Sequence, residues 1–283
     1  MNLNQIKKTV LTFLKWIFIC VIVGFLAGSA SAFLLISLEW AAHLREVEPW
    51  LLWLLPIGGL LIGLTYHYYG KDVVQGNNLL LLEYEKPEKV IPLKMAPFVL
   101  IGTIITHLLG GSAGREGTAV QMGGAIADQF TKLFALDASD RKTIIILGIS
   151  AGFASVFGTP LAGALFAIEV LYFSKISYQS IVLSFIVAYA AYFTVELWSV
   201  QHTHYTIPIV PQLNTSALLW TIVISIIFGF AAMLFSRSTH YWSNLFSKTI
   251  SYAPLRPMAG GIILALVFYF TGTTKFMGLG VPV

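Results

Sequence analysis

The most informative stretch of the sequence is Gly110-Gly111-Ser112-Ala113-Gly114-Arg115-Glu116-Gly117-Thr118-Ala119-Val120-Gln121-Met122-Gly123-Gly124. Arg115 and Glu116 lie in a strongly apolar context, where each charge costs at least about 2.5–3.5 kcal/mol in a membrane. The glycines weaken a helix, so this backbone needs partners other than lipid. A plain extramembrane turn with a surface ion pair needs fewer glycines on both sides of the charges. We therefore expect a segment that lines a polar cavity within a membrane.

The order of residues in this stretch predicts a site for an anion. The segment from Gly114 to Thr118 is expected to open a helix that continues to about Phe134. The first N–H groups of a helix lack internal partners and carry partial positive charge, and glycines let an ion approach the backbone. Glu116 lies at this helix end. Its carboxylate can occupy the anion position and leave when protonated, so one residue can serve as gate and proton carrier.

Composition supports a membrane protein and excludes several other classes. The chain has 283 residues, of which 57% are hydrophobic and 11% are charged, against about 25% charged residues in soluble domains. The net charge of +4 comes from cations scattered in short loops, which argues against a nucleic-acid surface. The single cysteine, Cys20, allows no internal disulfide and no metal cluster. We expect no metal and no cofactor.

Apolar runs follow one another along the chain with little between them. Several are shorter than the roughly 20 residues of a spanning helix, which indicates tilted or discontinuous helices that meet inside the membrane. The predicted fold is an all-α, multi-pass transmembrane protein. The runs are Trp16–Trp40, Trp50–Tyr69, Met95–Leu109, Thr143–Phe157, Leu161–Phe173, Ile181–Leu197, Ala217–Phe235 and Met258–Phe270.

The charged ends of these runs predict the orientation of the chain. Lys7, Lys8 and Lys15 precede an apolar run that is too long for a signal peptide, so we expect a first spanning helix with a cytoplasmic N-terminus. Counting helices from there places the charged loop from Glu83 to Lys94 in the cytoplasm as well. We expect solvated loop charges at Asp140, Arg141 and Lys142. The spacing of Asp128 and Lys132 is that of an ion pair on one helix face.

An internal repeat is visible in two places. The Pro-x-Gly-Gly motif at Pro56 returns 201 residues later at Pro257, and the Gly-rich element at Gly76 returns 202 residues later at Gly278. Duplicated halves with the site between them are typical of transporters. We predict one transmembrane domain over residues 1–283, with a first inverted repeat at about 1–205 and the start of a second at about 206–283. The remainder of the second repeat is expected to be missing from this sequence.

Two segments make the chain resemble a known family. Gly114-Arg115-Glu116-Gly117, and the stretch GISAGFASVFGTPLAGALFAIE from Gly148 to Glu169, are similar to the signatures of the CLC chloride channels and transporters. The resemblance covers about the first two-thirds of a family member. It implies a CLC-type inverted-repeat fold, a homodimer with one ion pathway per subunit, and a gating role for Glu116. It also favours an integral protein in the inner membrane of a prokaryote, with membrane lipid, a halide and protons as partners.

Three departures from the CLC pattern point to one branch of that family. Asn77 stands where the family usually has the Ser of Gly-Ser-Gly-Ile-Pro, Leu80 stands where it has the Pro of that motif, and Thr118 stands where it usually has the Pro after Gly-Arg-Glu-Gly. These changes resemble the branch that exchanges fluoride for protons. An Asn amide is a directed donor, which suits a small anion that forms strong hydrogen bonds. The predicted anion-binding residues are Gly76, Asn77, Asn78, Gly114, Arg115, Gly117 and Thr118, with Glu116 for gating and proton transfer.

Val170 argues against an ordinary chloride/proton exchanger. It aligns with an internal glutamate that chloride/proton exchangers of the family carry. The loss of that glutamate is compatible with a chloride channel or with the fluoride branch. The first hypothesis is therefore a fluoride/proton antiporter, and the second is a chloride channel or transporter of the same fold. A third, an intramembrane enzyme, lacks a nucleophile–base pair and a metal-binding set in the sequence.

Overall fold

The computed structural model describes residues 3–170, 178–202, 210, 212, 214–272 and 277–278, and within these it is helical without a β-strand. Among the described residues, a 3₁₀ helix, Pro49–Leu54, leads into the second of ten α-helices. The α-helices are α1 Leu3–Val47, α2 Leu55–Tyr69, α3 Asn77–Glu85, α4 Met95–Leu108, α5 Arg115–Leu133, α6 Ala138–Phe157, α7 Pro160–Val170, α8 Tyr178–Leu197, α9 Thr215–Thr249 and α10 Leu255–Thr271.

The lengths of these helices confirm the transmembrane fold with discontinuous elements. Within the part of the chain that the structure describes, four segments are long and apolar enough to cross a membrane: Val10–Val47, Pro49–Tyr69, Tyr178–Leu197 and Thr215–Thr249. Others are short, because α3 has nine residues and α4 has fourteen. Residues 171–173 of one predicted apolar run and residues 279–282 of the second Gly-rich element lie outside the described residues.

Close packing of α5 against α6 fixes the centre of the fold. A Cβ atom built on Gly123 would lie 2.2 Å from the Gly148 carbonyl oxygen, and one built on Gly152 would lie 2.3 Å from the Ala119 carbonyl oxygen. Small residues of this kind let the backbones of membrane helices approach closely. The start of α5, where the predicted site lies, is therefore held on a rigid pair of helices.

The two copies of the Pro-x-Gly-Gly motif pack directly on each other. A Cβ on Gly59 would lie 2.6 Å from the carbonyl oxygen of Pro257, and a Cβ on Gly261 would lie 2.9 Å from the Cα of Pro56. Each motif thus sets a glycine against the proline of the other, as in a contact related by approximate twofold symmetry. The division near residue 205 stays a prediction, which this reciprocal contact supports.

A buried ionic cluster corrects two sequence-based expectations. Arg141 is not a solvated loop charge, because it is 5% exposed and donates from Nε and Nη2 to the Asp128 carboxylate at 2.9 and 2.8 Å. Asp128 is fully buried and pairs with Arg141 rather than with Lys132. The same guanidinium donates to Glu83 at 3.0 Å, and Asp128 accepts from the Ile91 amide at 2.7 Å. The cluster therefore ties the end of α3 and the loop after it to α5 and α6.

Truncation of Asp128 should destabilise the protein strongly. Asp128→Ala leaves the Arg141 charge buried beside a single remaining carboxylate, and breaking a buried pair in this way costs about 3–5 kcal/mol. We expect a clear fall in the midpoint of thermal unfolding in detergent. Glu88→Ala is the matched control, because the Lys86–Glu88 pair is well exposed and should contribute at most about 1 kcal/mol. Equal midpoints for both variants would contradict the structural role of the cluster.

Candidate anion-binding site

The first turn of α5 contains backbone N–H groups that helix geometry leaves without an internal acceptor. Gly114 precedes the helix in an extended conformation, and the helix runs from Arg115 to Leu133. Its first internal hydrogen bond joins the Thr118 amide to the Gly114 carbonyl at 3.3 Å. The amides of residues 115–117 lie ahead of that bond, where helix geometry provides no internal acceptor. This end of α5 is a concentrated source of N–H groups and partial positive charge.

The start of α3 meets the start of α5. Gly76 precedes α3 at φ +58°, a left-handed conformation that favours glycine, and the helix begins at Asn77. The Asn77 side-chain amide packs against Gly117, since a Cβ built there would lie only 3.0 Å from Asn77 Nδ2. Gly117 therefore gives Asn77 the room to reach the first turn of α5. Two parts of the predicted site, 40 residues apart in sequence, are brought together here.

Asn77, Glu116 and Gly117 line a single cavity of about 270 Å³. The polar groups lie on one part of its wall, and hydrophobic side chains form the rest. Val170 is one of these, so the position that resembles the internal glutamate belongs to the same cavity as Glu116. The remaining lining residues are Leu80, Leu81, Val120, Ile149, Phe153 and Phe166.

The Glu116 carboxylate is only loosely held. Its Oε1 lies 3.7 Å from Arg115 Nε, and its side chain is 43% exposed. Its Oε2 lies over Gly114, at 3.4 Å from the position of a Cβ built on that glycine. An exposed ion pair of this length contributes little. The carboxylate is therefore free to move between the helix end and the cavity without the loss of a strong contact.

The other predicted site residues border the cavity without being among its lining residues. Gly76 and Gly114 precede the two helices, and Arg115 pairs with Glu116. Asn78 is exposed, and its backbone amide donates to the Gln75 carbonyl at 3.2 Å.

Thr118 differs from the other predicted residues because both of its donors have protein partners. Its amide bonds to the Gly114 carbonyl, and its hydroxyl lies 3.0 Å from that same oxygen. The hydroxyl is also 2.7 Å from Thr103 Oγ1. Thr118 is buried, so its side chain acts within the protein rather than at an open surface.

Sequence reasoning missed several residues that shape the site. Phe153 and Phe166 line the cavity and stack with ring centroids 4.1 Å apart. They fall in a stretch that resembles the CLC family, yet apolar residues in an apolar run gave no signal of their position. Thr103 on α4 was also missed, because a single threonine in a hydrophobic helix has many ordinary structural roles.

The arrangement suits a dehydrated anion. It combines one side-chain amide, an end of a helix dipole and hydrophobic walls, and glycines keep the backbone accessible. A full positive charge is not needed at the ion. The loosely held carboxylate at the same place supplies a competing negative group that protonation can neutralise.

Comparison with known proteins identifies the family of this chain. The sequence model of the family described as "Voltage gated chloride channel" matches residues 58–282. The chain is 46% identical over 274 residues to the "Chloride/fluoride channel protein" of Pseudomonas syringae pv. tomato, covering 95% of this chain and 61% of that protein. It therefore spans about three-fifths of the length of this relative.

Solved structures give the same result for the fold. The crystal structure of a CLC-type fluoride/proton antiporter superimposes with a TM-score of 0.89 at 32% identity, covering 95% of this chain and 68% of that one. A slow cyanobacterial Cl⁻/H⁺ antiporter superimposes with a TM-score of 0.76 at 20% identity, covering 89% of this chain and 63% of that one, which shows the fold alone. From the helical architecture, the signature segments and these matches, the chain belongs to the CLC family of voltage gated chloride channels and related transporters.

Proposed function

We propose that this protein exchanges fluoride for protons across the membrane, with Glu116 as the gate. The observation that carries the proposal is the shared cavity at the start of α5, which both Asn77 and Glu116 line. CLC family members are channels or transporters, which sets the enzyme alternative aside.

The proposed cycle uses the two positions of the Glu116 carboxylate. When ionised, the carboxylate takes the anion position at the N–H groups of α5, where the helix dipole favours negative charge. When protonated, it leaves, and the anion enters between Asn77 and the backbone of residues 114–117. Gly76 and Asn78 shape the start of α3, and Arg115 adds only a weak, exposed attraction to the ionised carboxylate. One negative charge at a time thus occupies the helix end.

Asn77 supports fluoride as the anion. Its amide is a directed N–H donor that lies against Gly117, and hydrogen bonds to an ion are worth about 1.5–3 kcal/mol. A small halide loses more hydration energy on entry than a large one, so directed donors favour it more. The superposition on a fluoride/proton antiporter points the same way.

A second candidate is a chloride channel or transporter of the same fold. Val170 is compatible with a channel of this kind, because it leaves the cavity without an ionisable side chain at the position of the internal glutamate. The Pseudomonas relative is named a "Chloride/fluoride channel protein", which covers both ions. In this alternative Glu116 gates the pathway, but protons do not move with each anion.

The proposal also covers the orientation of the protein in the membrane and its assembly. Lys15 of α1 lies 5.8 Å from the ring of Phe134, which follows α5. Arg141, near the start of α6, donates to the Lys89 carbonyl in the loop after α3. Because α6 begins only a few residues after α5 ends, the basic start of α1 and the loop after α3 lie on the same side of the protein. Basic residues favour the cytoplasmic side of a membrane. We therefore place this face in the cytoplasm of a prokaryote, with the protein in the inner membrane as a homodimer surrounded by lipid.

Halide selectivity is the first test of the proposed function. Liposomes that hold the product of the native gene are loaded with fluoride or chloride, and initial efflux is recorded with ion-selective electrodes. We expect fluoride to leave at least about tenfold faster, which corresponds to a preference of about 1.4 kcal/mol. Equal initial rates would contradict the assignment to fluoride and support the second candidate.

A further inference from the structure

Two buried polar side chains of α4 face the segment that carries the gate. Thr103 and His107 are 5% and 1% exposed, and they are four residues apart. Residues with this spacing share one face of a helix. Polar groups buried at membrane depth cost free energy unless they are hydrogen-bonded, so their partners indicate what they stabilise.

Thr103 reaches the first turn of α5. Its hydroxyl lies 2.7 Å from the Thr118 hydroxyl, which in turn lies 3.0 Å from the Gly114 carbonyl oxygen. Because that carbonyl can only accept, Thr118 donates to it and Thr103 donates to Thr118. The result is a directed chain of hydrogen bonds from α4 to the residue that begins α5.

His107 reaches the loop on the other side of the gate. Its Nε2 lies 2.9 Å from the Ala113 carbonyl oxygen, an acceptor, so Nε2 carries the proton. The end of α4 is fixed in turn, because Arg45 donates to the His107 carbonyl at 3.3 Å. Gly110, at φ +85°, lets the chain reverse between these contacts.

We propose that Thr103 and His107 form a two-point clamp that positions Glu116, an inference that rests on the proposed gating role of that residue. The clamp holds Ala113, three residues before the glutamate, and Thr118, two residues after it. Thr103 and His107 are positioning residues, which act on Glu116 through the start of α5. The clamp fixes the direction of the free amides at residues 115–117, so that the carboxylate and the anion compete for one position.

Substitution of His107 separates a missing hydrogen bond from a missing side chain. His107→Leu fills similar space without a donor, whereas His107→Gln carries an amide N–H that can reach the Ala113 carbonyl. We expect His107→Leu to lower coupled proton and fluoride exchange per folded protein about tenfold, the effect of one buried hydrogen bond. His107→Gln should recover most of this loss.

Thr106→Val is the matched control on the same helix. The Thr106 hydroxyl donates at 2.7 Å to the Gly102 carbonyl of its own helix and, among the described residues, makes no hydrogen bond to α5. The Thr106→Val variant should leave the number of protons moved per fluoride unchanged. If the polar residues of α4 had only a structural role, His107→Leu, His107→Gln and Thr106→Val would differ only in the amount of folded protein.

The Thr103–Thr118 contact is tested by a double-mutant cycle. Thr103→Val and Thr118→Val remove the same hydrogen bond from either end, so the double variant should be no worse than the more impaired single variant. If the losses of coupled exchange in the two single variants add fully in the double variant, the direct contact is overturned.

Hydrogen exchange gives a readout that does not depend on transport. His107→Leu should raise amide exchange at residues 110, 111 and 118, whose amides are hydrogen-bonded within the protein, and His107→Gln should restore protection, while Thr106→Val leaves it unchanged. Unchanged exchange in His107→Leu would overturn the clamp even if the wild type transports fluoride. Failure of the wild type to couple fluoride to protons would instead contradict the proposed function, while raised exchange would still support the clamp.

Discussion

Glu116→Gln should abolish proton movement while fluoride still crosses the membrane. Glutamine has the shape of the protonated glutamate but cannot release or take a proton. It also cannot compete as an anion for the end of α5, so the pathway stays open. We expect proton flux coupled to fluoride to fall about a hundredfold or more, the scale on which positioned acid–base groups act. The measurement is simultaneous recording of proton uptake and fluoride efflux from liposomes.

Glu88→Gln is the control for the loss of a carboxylate. Glu88 lies in the charged loop after α3 and pairs only with exposed Lys86 among the described ion pairs. Its neutralisation should leave proton coupling unchanged. Proton uptake that persists in Glu116→Gln would remove Glu116 from the mechanism, whatever the rate of fluoride efflux.

Asn77→Ser should shift the preference of the protein toward chloride. Serine has a hydroxyl in place of the amide and is shorter, so the substitution removes the directed N–H group that lies against Gly117. The loss of a hydrogen bond to an ion costs about 1.5 kcal/mol at the lower end of its usual range, and about tenfold in relative rate. The ratio of initial fluoride to chloride efflux checks this, since it does not depend on the amount of active protein.

Asn244→Ser is the matched control for this substitution. Asn244 is an exposed asparagine on α9, and it is not among the residues that line the cavity. Its replacement should leave the ratio of the two halides at the wild-type value. An unchanged ratio in Asn77→Ser as well would show that selectivity arises elsewhere.

The parts of the site that depend on local chemistry could be predicted from the sequence. Glycines beside Arg115 and Glu116 indicated a helix start in an apolar context, and α5 begins at Arg115. The repeat of the motif at Pro56 and Pro257 predicted related elements, and these pack on each other. Both features come from residues that are costly in lipid unless the fold uses them.

The parts that depend on distant contacts could not be predicted. Asp128 and Arg141 looked like ordinary helix-surface and loop charges, because nothing local shows that the loop after α3 folds over them. The nine-residue helix α3 was not expected, since it is too short and too mixed to have a clear period. Thr103 gained its role only when α4 was placed against α5.

The most direct test of fluoride/proton exchange asks whether a proton gradient alone moves fluoride uphill. Liposomes with equal fluoride on both sides receive an acidic external pH, and the membrane potential is clamped at zero with a potassium ionophore. The account predicts net movement of fluoride out of the liposomes against its growing gradient as protons enter, and no such movement with Glu116→Gln. Fluoride that stays at equilibrium under the pH gradient, yet equilibrates rapidly under its own gradient, would contradict exchange and establish a channel.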